Sequence, residues 1–183
     1  KEIVKAFLKE NFLVIGIDKN ISNRTKSKNY KPIAANLFNF SVDKEYRKNT
    51  VIKIHDFIPK KISKFIIINN AAIQVLKNVN EVSWSDWEKS FTVNTVSPFF
   101  LIQAFIGLLK SSKGHVINIS SVHSKLTKKN FTCYAASKAA LESLTKSLAL
   151  ELSPLGISVN AIAPAAINTN LLKDSFKSNP EKL

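Results

Sequence analysis

Apolar runs of strand length alternate with segments of helical periodicity along most of this chain of 183 residues. The apolar runs predict strands over residues 12–17, 65–68, 115–119 and 158–162. Strands that alternate with helices are typical of β-α-β units, in which a parallel sheet is buried on both faces. The predicted fold class is therefore α/β, with helices on both sides of a doubly wound parallel sheet in three layers.

The helical segments complete this pattern and set the domain organisation. Their periodicity predicts helices over residues 2–11, 44–52, 84–96, 99–109 and 133–152, and residues 19–31 are expected to form a loop. The composition is 45% hydrophobic, which is enough for one core. Because the chain has neither an internal repeat nor a low-complexity linker, we expect a single domain over residues 1–183.

The charge balance is strongly basic, with 27 Lys and Arg against 13 Asp and Glu and a net charge of +14. A positive field is one signature of proteins that bind nucleic acid. Here Arg24 and Arg47 are the only arginines, and the lysines are scattered along the chain instead of alternating with aromatic residues in one stripe. We therefore expect no nucleic-acid partner, although the field would attract an anionic dinucleotide or an acidic substrate.

Two further classes of protein are not expected. No run of the sequence approaches the roughly 18 to 20 apolar residues that a membrane-spanning helix needs, and it does not open with a secretory leader. The expectation is a cytoplasmic protein without a membrane partner. Cys133 is the single cysteine, so an internal disulfide is excluded. A structural zinc site takes about four ligands, and we expect no metal site.

Polar residues that could carry chemistry follow the strand at residues 115–119. Tyr134 and Lys138 are four residues apart at the start of a long predicted helix, so they share a face. Alone, this pair fits a surface aromatic beside a solvated ammonium. Ser121 lies just past the strand, and ligands of open α/β sheets bind at the carboxyl ends of strands. Together, the three residues are candidates for a catalytic site.

Five motifs in a fixed order extend this observation over the chain. They are Asn69-Asn70-Ala71-Ala72, Val93-Asn94, Asn118-Ile119-Ser120-Ser121, Tyr134-Ala135-Ala136-Ser137-Lys138 and Val159-Asn160-Ala161-Ile162-Ala163-Pro164. In order and spacing the chain resembles the short-chain dehydrogenase/reductase family. The resemblance implies a Rossmann-like domain and an oxidoreductase. Such an enzyme transfers a hydride between a nicotinamide dinucleotide and a carbonyl or alcohol group of a small-molecule substrate.

The resemblance also implies a role for each residue of a catalytic set. Tyr134 would be the general acid and base. Lys138, together with the positive nicotinamide of the oxidised cofactor, would lower the pKa of its phenol, and Lys138 would also hydrogen-bond the nicotinamide ribose. Ser121 would hold the substrate oxygen. Asn94 would anchor a water that carries protons from Lys138 toward solvent; taken alone, Asn94 fits a helix residue with local hydrogen bonds better.

Cofactor preference depends chiefly on Asp18, at the end of a predicted strand. By resemblance, its carboxylate would accept hydrogen bonds from the adenosine ribose and repel a 2′-phosphate, so NAD(H) is preferred and NADP(H) is a weaker alternative. The competing interpretation is a surface Asp that caps a turn. Asn39 would face the adenine. The full set of implied cofactor-binding residues is Asp18, Asn39, Asn69, Ala71, Tyr134, Lys138, Pro164, Ile167 and Thr169.

The sequence departs from the family pattern at several places. Residues 1–11 resemble the helix that follows the family's glycine-rich turn, and the turn itself is absent. We expect the sheet to lack two strands of the family. One is the family's first strand, which would lie in the sheet between the strands at residues 12–17 and 65–68, and the other is its C-terminal strand. Ala72 and Ala165 replace glycines, which would narrow the pocket. The alternative to an active enzyme is a truncated, inactive relative that acts as a nucleotide-binding or scaffold protein.

Two features near the site leave alternatives open. His123 fits a solvated loop residue and a substrate contact equally well. The apolar residues 99–102 and 105–106 fit a core and a subunit interface equally well. Relatives in the family pair helices equivalent to residues 97–109 and 133–152, so we expect a homodimer or homotetramer.

Overall fold

The computed structural model describes residues 2–21 and 25–165. The helices are α1 (Glu2–Lys9), α2 (Leu37–Val42), α3 (Lys44–His55), α4 (Trp84–Phe91), α5 (Ser97–Ala104), α6 (Ile106–Ser111) and α7 (Thr132–Leu152). The strands are β1 (Val14–Asp18), β2 (Tyr30–Ala34), β3 (Ile66–Asn69), β4 (His115–Ile119) and β5 (Ser158–Ile162). A π-helical turn, Thr92–Val96, joins α4 to α5. The predicted α/β class is confirmed.

All strand pairs in the described residues are parallel, as predicted. β1 pairs with β2, and β4 lies between β3 and β5 in a second sheet. Within the described residues no other strand pairs with β1 or with the free side of β3. The chain forms two compact units, an N-terminal unit (Lys1–Ile62) and a C-terminal unit (Ser63–Leu183). The single domain expected from the sequence stays a prediction.

The N-terminal unit contains a strand that the sequence did not predict. Residues 19–31 were expected to be loop, but β2 begins at Tyr30 and pairs with β1 along its whole length. Pro32, which has no N–H to donate, lies within β2, and proline is tolerated in strands at a sheet edge. Pairing with β1 therefore outweighs the weak local pattern of this segment.

The C-terminal unit has a continuous apolar core. Its buried members come from helices α5 to α7, from strands β4 and β5, and from the residue before β5, and they are Ile102, Leu109, Val116, Leu148, Leu152, Ile157 and Val159. α7 buries one stripe with helical spacing, which includes Tyr134, Lys138 and Leu141. The stripe packs the helix along the sheet and fixes the two polar residues within it.

A chain of buried hydrogen bonds crosses the second sheet and reaches α7. Asn69 Nδ2 donates to Asn118 Oδ1 (2.8 Å), and Asn118 Nδ2 donates to Thr145 Oγ1 (2.8 Å). Thr145 Oγ1 in turn donates to the Leu141 carbonyl (2.7 Å). Because buried polar groups are costly unless paired, this chain fixes β3, β4 and α7 relative to one another.

The helical region before β4 is less regular than the sequence predicted. Ser83 is the N-cap of α4. The predicted helix over residues 99–109 is divided at Phe105 into α5 and α6. Leu101, Ile102 and Phe105 are buried within the chain, so this part of the apolar segment is core. None of the helices in the described residues has the length and apolar content needed to cross a bilayer.

Candidate active site

Three parallel strands bring their following residues to one edge of the second sheet. Ser120 and Ser121 follow β4, and the segment that contains Pro164 follows β5. Main-chain hydrogen bonds join the two segments, from Ser120 N to Ile162 O (2.7 Å) and from Val122 N to Pro164 O (3.0 Å). This edge is the carboxyl side of the sheet, where ligands of open α/β folds bind.

Tyr134 and Ser121 meet at this edge. Both side chains are buried, and a hydrogen bond links them. Burial raises the pKa of the Tyr134 phenol, because the charged form is disfavoured away from water, and the Ser121 hydrogen bond offsets only part of that rise. The sequence predicted that Lys138 and the positive nicotinamide of a bound oxidised cofactor together favour the phenolate, and for the cofactor-bound enzyme that stays a prediction. With burial as the larger cause, the phenol is protonated at neutral pH.

Lys138 is a buried cation on the same helix as Tyr134. Only 2% of the residue is exposed, and its ammonium donates to the Ile119 carbonyl at 2.6 Å. The Nζ atom lies 5.9 Å from the centroid of the Tyr134 ring. Burial lowers the pKa of Lys138 to about 8. An ammonium has three N–H donors, so this group can also bind a hydroxylated ligand, and it fits the ribose of a dinucleotide.

Asn94 lies in the π-helical turn and is almost fully buried. Its Oδ1 accepts from Ile73 N (2.9 Å), and its Nδ2 donates to Ile73 O (2.9 Å) and to Ser137 Oγ (2.9 Å). The Ser137 hydroxyl donates to the Tyr134 carbonyl (2.7 Å). The partners of Asn94 are distant in sequence, so its hydrogen bonds are not local. The side chain ties the segment after β3 to the helix turn that carries Tyr134.

Two predicted cofactor residues lie in the N-terminal unit. Asp18 is exposed at the carboxyl end of β1, and its Oδ1 accepts from Asn20 N (3.0 Å). The turn-capping role is therefore present, and it uses one carboxylate oxygen. Asn39 is exposed on α2. The missed strand β2 ends at Ala34, so Asn36, which caps α2, is the first side-chain amide after it and lies nearer the strand end than Asn39.

The other predicted cofactor residues belong to the C-terminal unit. Asn69 is buried at the end of β3, where it holds Asn118, and Ala71 is exposed in the segment that follows. Pro164 is half-buried beside the turn that begins at Ser121. Ile167 and Thr169 lie outside the described residues. The positions of Asn69 and Pro164 at strand ends agree with a ligand site along this edge.

An aromatic cluster lies beside Tyr134. The ring of Phe131 is 6.0 Å from that of Tyr134 and 4.4 Å from that of His123. Lys128 Nζ lies 4.8 Å from the Phe131 centroid. Burial lowers the pKa of His123, so the imidazole is neutral at pH 7. His123 is therefore packed against Phe131 and Tyr134, and its contact with a substrate stays a prediction.

One residue at the site was missed by the sequence analysis. Glu142, on α7 one turn beyond Lys138, accepts from the hydroxyls of Ser120 (2.9 Å) and Ser124 (2.5 Å). The carboxylate thus contacts residues on both sides of Ser121. A signal was available in the sequence, since Glu142 is four residues after Lys138 and shares its helix face.

Comparison with known proteins agrees with this geometry. The family model described as short chain dehydrogenase matches residues 1–180. A 3-oxoacyl-(acyl-carrier-protein) reductase from Buchnera aphidicola is 31% identical over 95% of this chain and 71% of its own length. A 3β-hydroxysteroid dehydrogenase from Eggerthella lenta is 41% identical over 63% of this chain and 45% of its own length.

A solved structure extends the likeness to three dimensions. A 4-hydroxyisoleucine dehydrogenase complexed with NADH and succinate is 32% identical, with a TM-score of 0.81, and the match covers 96% of this chain and 76% of that chain. The family match therefore spans nearly the whole chain in both sequence and fold. The chain belongs to the short chain dehydrogenase family of oxidoreductases.

Proposed function

We propose that the protein interconverts a carbonyl and an alcohol group on a small molecule, with NAD(H) as cofactor and Tyr134 as general acid and base. The observation that carries the proposal is the arrangement at the end of β4. There a buried phenol, the Ser121 hydroxyl and the Lys138 ammonium occupy one edge of the sheet. A proton donor, an oxygen-binding hydroxyl and a cation are the groups that carbonyl reduction needs.

The protonation state of Tyr134 favours the reductive direction. Because burial raises the pKa of its phenol, the residue holds its proton at neutral pH and can donate it to a carbonyl oxygen. Ser121, already bonded to Tyr134, would hold the same oxygen and share the charge that develops on it. In the alcohol-oxidising direction the same phenol must first lose its proton, which requires a higher pH.

Lys138 would act on both ligand and phenol. Its ammonium would stabilise the phenolate left after proton donation and donate to the ribose next to the nicotinamide. Bound NADH supplies the hydride, and NAD accepts it in the reverse reaction. Asn94 and Ser137 would hold the turn that carries Tyr134. A water anchored by Asn94, which would carry protons toward solvent, stays part of this proposal.

The cofactor preference is proposed from the N-terminal unit. Asp18 is exposed at a strand end with one carboxylate oxygen beyond its bond to Asn20, and it would bind ribose hydroxyls and repel a 2′-phosphate. Asn39 is proposed to face the adenine, and Asn69, Ala71, Pro164, Ile167 and Thr169 to line the rest of the cofactor. The relative solved with NADH supports the choice of NAD(H).

The substrate class is proposed as a secondary alcohol or its ketone. The relatives are named for an oxoacyl group, a hydroxysteroid and a hydroxyisoleucine, each with an oxo or hydroxy group. The packed rings of His123 and Phe131 beside Tyr134 would form one apolar wall for such a substrate. A homodimer or homotetramer is proposed by family likeness and is tested by light scattering.

The test is turnover of a panel of ketones with NADH by the full chain, together with Tyr134→Phe. We expect the variant to lose about 10²- to 10⁴-fold in turnover and to keep NADH affinity in calorimetry. Tyr30→Phe, in β2, is the matched control and keeps its activity. Retained turnover in Tyr134→Phe would refute the role of the phenol. A folded wild-type chain that binds NADH but reduces nothing would favour the nucleotide-binding alternative.

A further inference from the structure

Glu142 accepts two hydroxyl hydrogen bonds that surround a proposed catalytic residue. Ser120 Oγ donates to its Oε1 at 2.9 Å, and Ser124 Oγ donates to the same oxygen at 2.5 Å. Ser121 lies between these two donors in the chain. One carboxylate oxygen on α7 therefore holds both ends of the short segment that presents the Ser121 hydroxyl.

Main-chain hydrogen bonds also hold this segment. The Ser124 hydroxyl also lies 2.7 Å from the Ser121 carbonyl, but its single proton can be donated to only one of the two acceptors, and the ionised Glu142 is the stronger one. Ser124 N donates to the same carbonyl at 3.0 Å, which closes the 3₁₀ turn Val122–Ser124. The main chain of Ser120 is held by β5, because Ser120 N donates to the Ile162 carbonyl. Glu142 thus joins Ser120 and Ser124, at the two ends of this segment, to the helix of Tyr134 and Lys138.

The electrostatics of Glu142 suit an acceptor of this kind. The Ser124 hydrogen bond is the largest cause that lowers the pKa of the carboxyl, with further contributions from the Ser120 hydrogen bond and from Lys125 and Lys146. The group is therefore ionised at neutral pH, and hydrogen bonds to an ionised acceptor are stronger than neutral ones. A half-buried carboxylate that accepts hydrogen bonds from two hydroxyls is held firmly in one position.

We propose that Glu142 is a positioning residue that sets the Ser121 hydroxyl against Tyr134 by holding Ser120 and Ser124. The inference rests on the proposed function, in which Ser121 and Tyr134 share the substrate oxygen. Glu142 itself touches no reacting atom. Without Glu142, the hydrogen bond left to the Ser120 hydroxyl is the one to the Lys138 carbonyl at 3.4 Å. The Ser124 hydroxyl loses its acceptor on α7. A displacement of about 1 Å at a reacting group costs up to about 10²-fold in rate.

The kinetic test compares Glu142→Ala with Glu142→Gln. We expect Glu142→Ala to lower kcat about 10- to 100-fold while the KM for NADH stays within about twofold. Glu142→Gln should recover most of the loss, because both serines donate to one oxygen and an amide oxygen can replace it. Glu151→Ala, at an exposed position of the same helix, is the control and keeps wild-type kcat.

Either of two kinetic results would overturn the inference. One is an unchanged kcat in Glu142→Ala, and the other is a Gln variant as slow as the Ala variant while both remain folded by circular dichroism. Ser124→Ala adds a graded check, since it removes one of the two donors and should show a smaller loss. Combined with Glu142→Ala, it should add little, because both changes remove the same contact.

Hydrogen–deuterium exchange separates this inference from the proposed function. In Glu142→Ala, residues 120–126 should exchange faster than in the wild type, and in Glu142→Gln they should not. If the wild-type chain reduces no ketone, the proposed function fails, and exchange still decides whether Glu142 holds the turn. If the wild type is active and Glu142→Ala changes neither exchange nor kcat, only the role of Glu142 fails.

Discussion

The N-terminal and C-terminal units differ in how densely they pack. In its described part, the N-terminal unit has two strands, α1 buries none of its residues, and the buried apolar side chains are Ile33, Ala35, Phe40 and Ile54. The C-terminal unit has three strands within residues 63–165, a continuous core and a buried hydrogen-bond chain into α7. All four proposed catalytic side chains lie in the denser unit.

This division has a physical basis. Proton transfer needs donor and acceptor within hydrogen-bond reach, and rigid packing holds them there. Recognition of a ribose by one exposed carboxylate, proposed for Asp18, tolerates a more loosely packed support. The C-terminal unit would thus determine the rate of the reaction, and the N-terminal unit would determine the choice of cofactor. Substitutions in both units, each compared with a matched substitution, test this division.

The largest effect is expected from loss of core volume. Leu109→Ala should cost about 4 kcal/mol of unfolding free energy, because Leu109 is fully buried in a cluster that cannot collapse around the cavity. Ile33→Ala in the N-terminal unit should cost about 2 kcal/mol, since its partly exposed neighbours can move into the space. Denaturant unfolding measures both, and amide exchange in β4 and β2 assigns each loss to its unit. Equal costs would show that the two cores are equally dense.

The denser unit was also the easier to predict from sequence. β4 and β5 have the predicted bounds. Each is a short stretch of residues whose side chains pack against a helix that the sequence also predicts. β2 was missed since Tyr30-Lys31-Pro32-Ile33-Ala34 has no apolar run, and it is a strand because β1 offers it hydrogen bonds. Local pattern predicts a strand well where a core surrounds it.

The second prediction concerns the cost of the buried cation. Lys138→Met should raise the unfolding free energy by about 2 kcal/mol at pH 7 and abolish turnover, because burying the ammonium costs more than its hydrogen bond to Ile119 returns. Lys53→Met, at an exposed position of α3, should change neither. An unchanged stability in Lys138→Met would mean that the charge is adequately solvated.

The pH dependence of that difference follows from the pKa of Lys138. In the folded protein it is about 8, below the ordinary value of 10.5. The unfolded chain therefore keeps this proton to higher pH, and the wild type gains stability as the pH rises from about 8 to 10.5. The advantage of Lys138→Met should be full below pH 8 and shrink over this range. The raised pKa of Tyr134 affects the wild type and Lys138→Met alike and so leaves this difference unchanged.

The third prediction concerns the cofactor. Asp18→Asn should weaken NADH binding about tenfold and improve NADPH binding, with kcat on saturating NADH nearly unchanged, because one charged acceptor is lost and a repulsion is removed. Asp56→Asn, exposed in the same unit, is the control. Calorimetry with each dinucleotide measures the affinities. A fall in kcat instead of affinity would contradict the division of labour between the units.

The site was less predictable than the fold, for a reason that Glu142 illustrates. Tyr134, Lys138 and Ser121 carry a recognisable spacing, so the sequence alone placed them together. Glu142 contacts Ser120 and Ser124 across 22 and 18 residues, and such a contact exists only once α7 is packed on β4. The raised pKa of Tyr134 depends in the same way on burial, which a motif does not report.

The smallest effect is expected at two helix caps. Asp43 caps α3 in the N-terminal unit through Tyr46 N (2.9 Å), and Asp43→Ala should cost about 1 kcal/mol, since both the acceptor and a favourable negative charge are lost. Ser83 caps α4 in the C-terminal unit through Asp86 N (3.2 Å). Ser83→Ala should cost about 0.5 kcal/mol.

The smaller cost at Ser83 follows from the network around it. Asp86 accepts from the main-chain N–H at position 83 (2.9 Å) and from Lys77 Nζ (2.7 Å), and both bonds survive the loss of the hydroxyl. Lys77 and Ser83 together hold the pKa of Asp86 well below its usual range, so its charge persists at the helix start. Denaturant unfolding of both variants at pH 7 measures the costs. If Ser83→Ala costs more than Asp43→Ala, the other hydrogen bonds of Asp86 do not compensate for the lost hydroxyl. Apolar packing alone then distinguishes the two units.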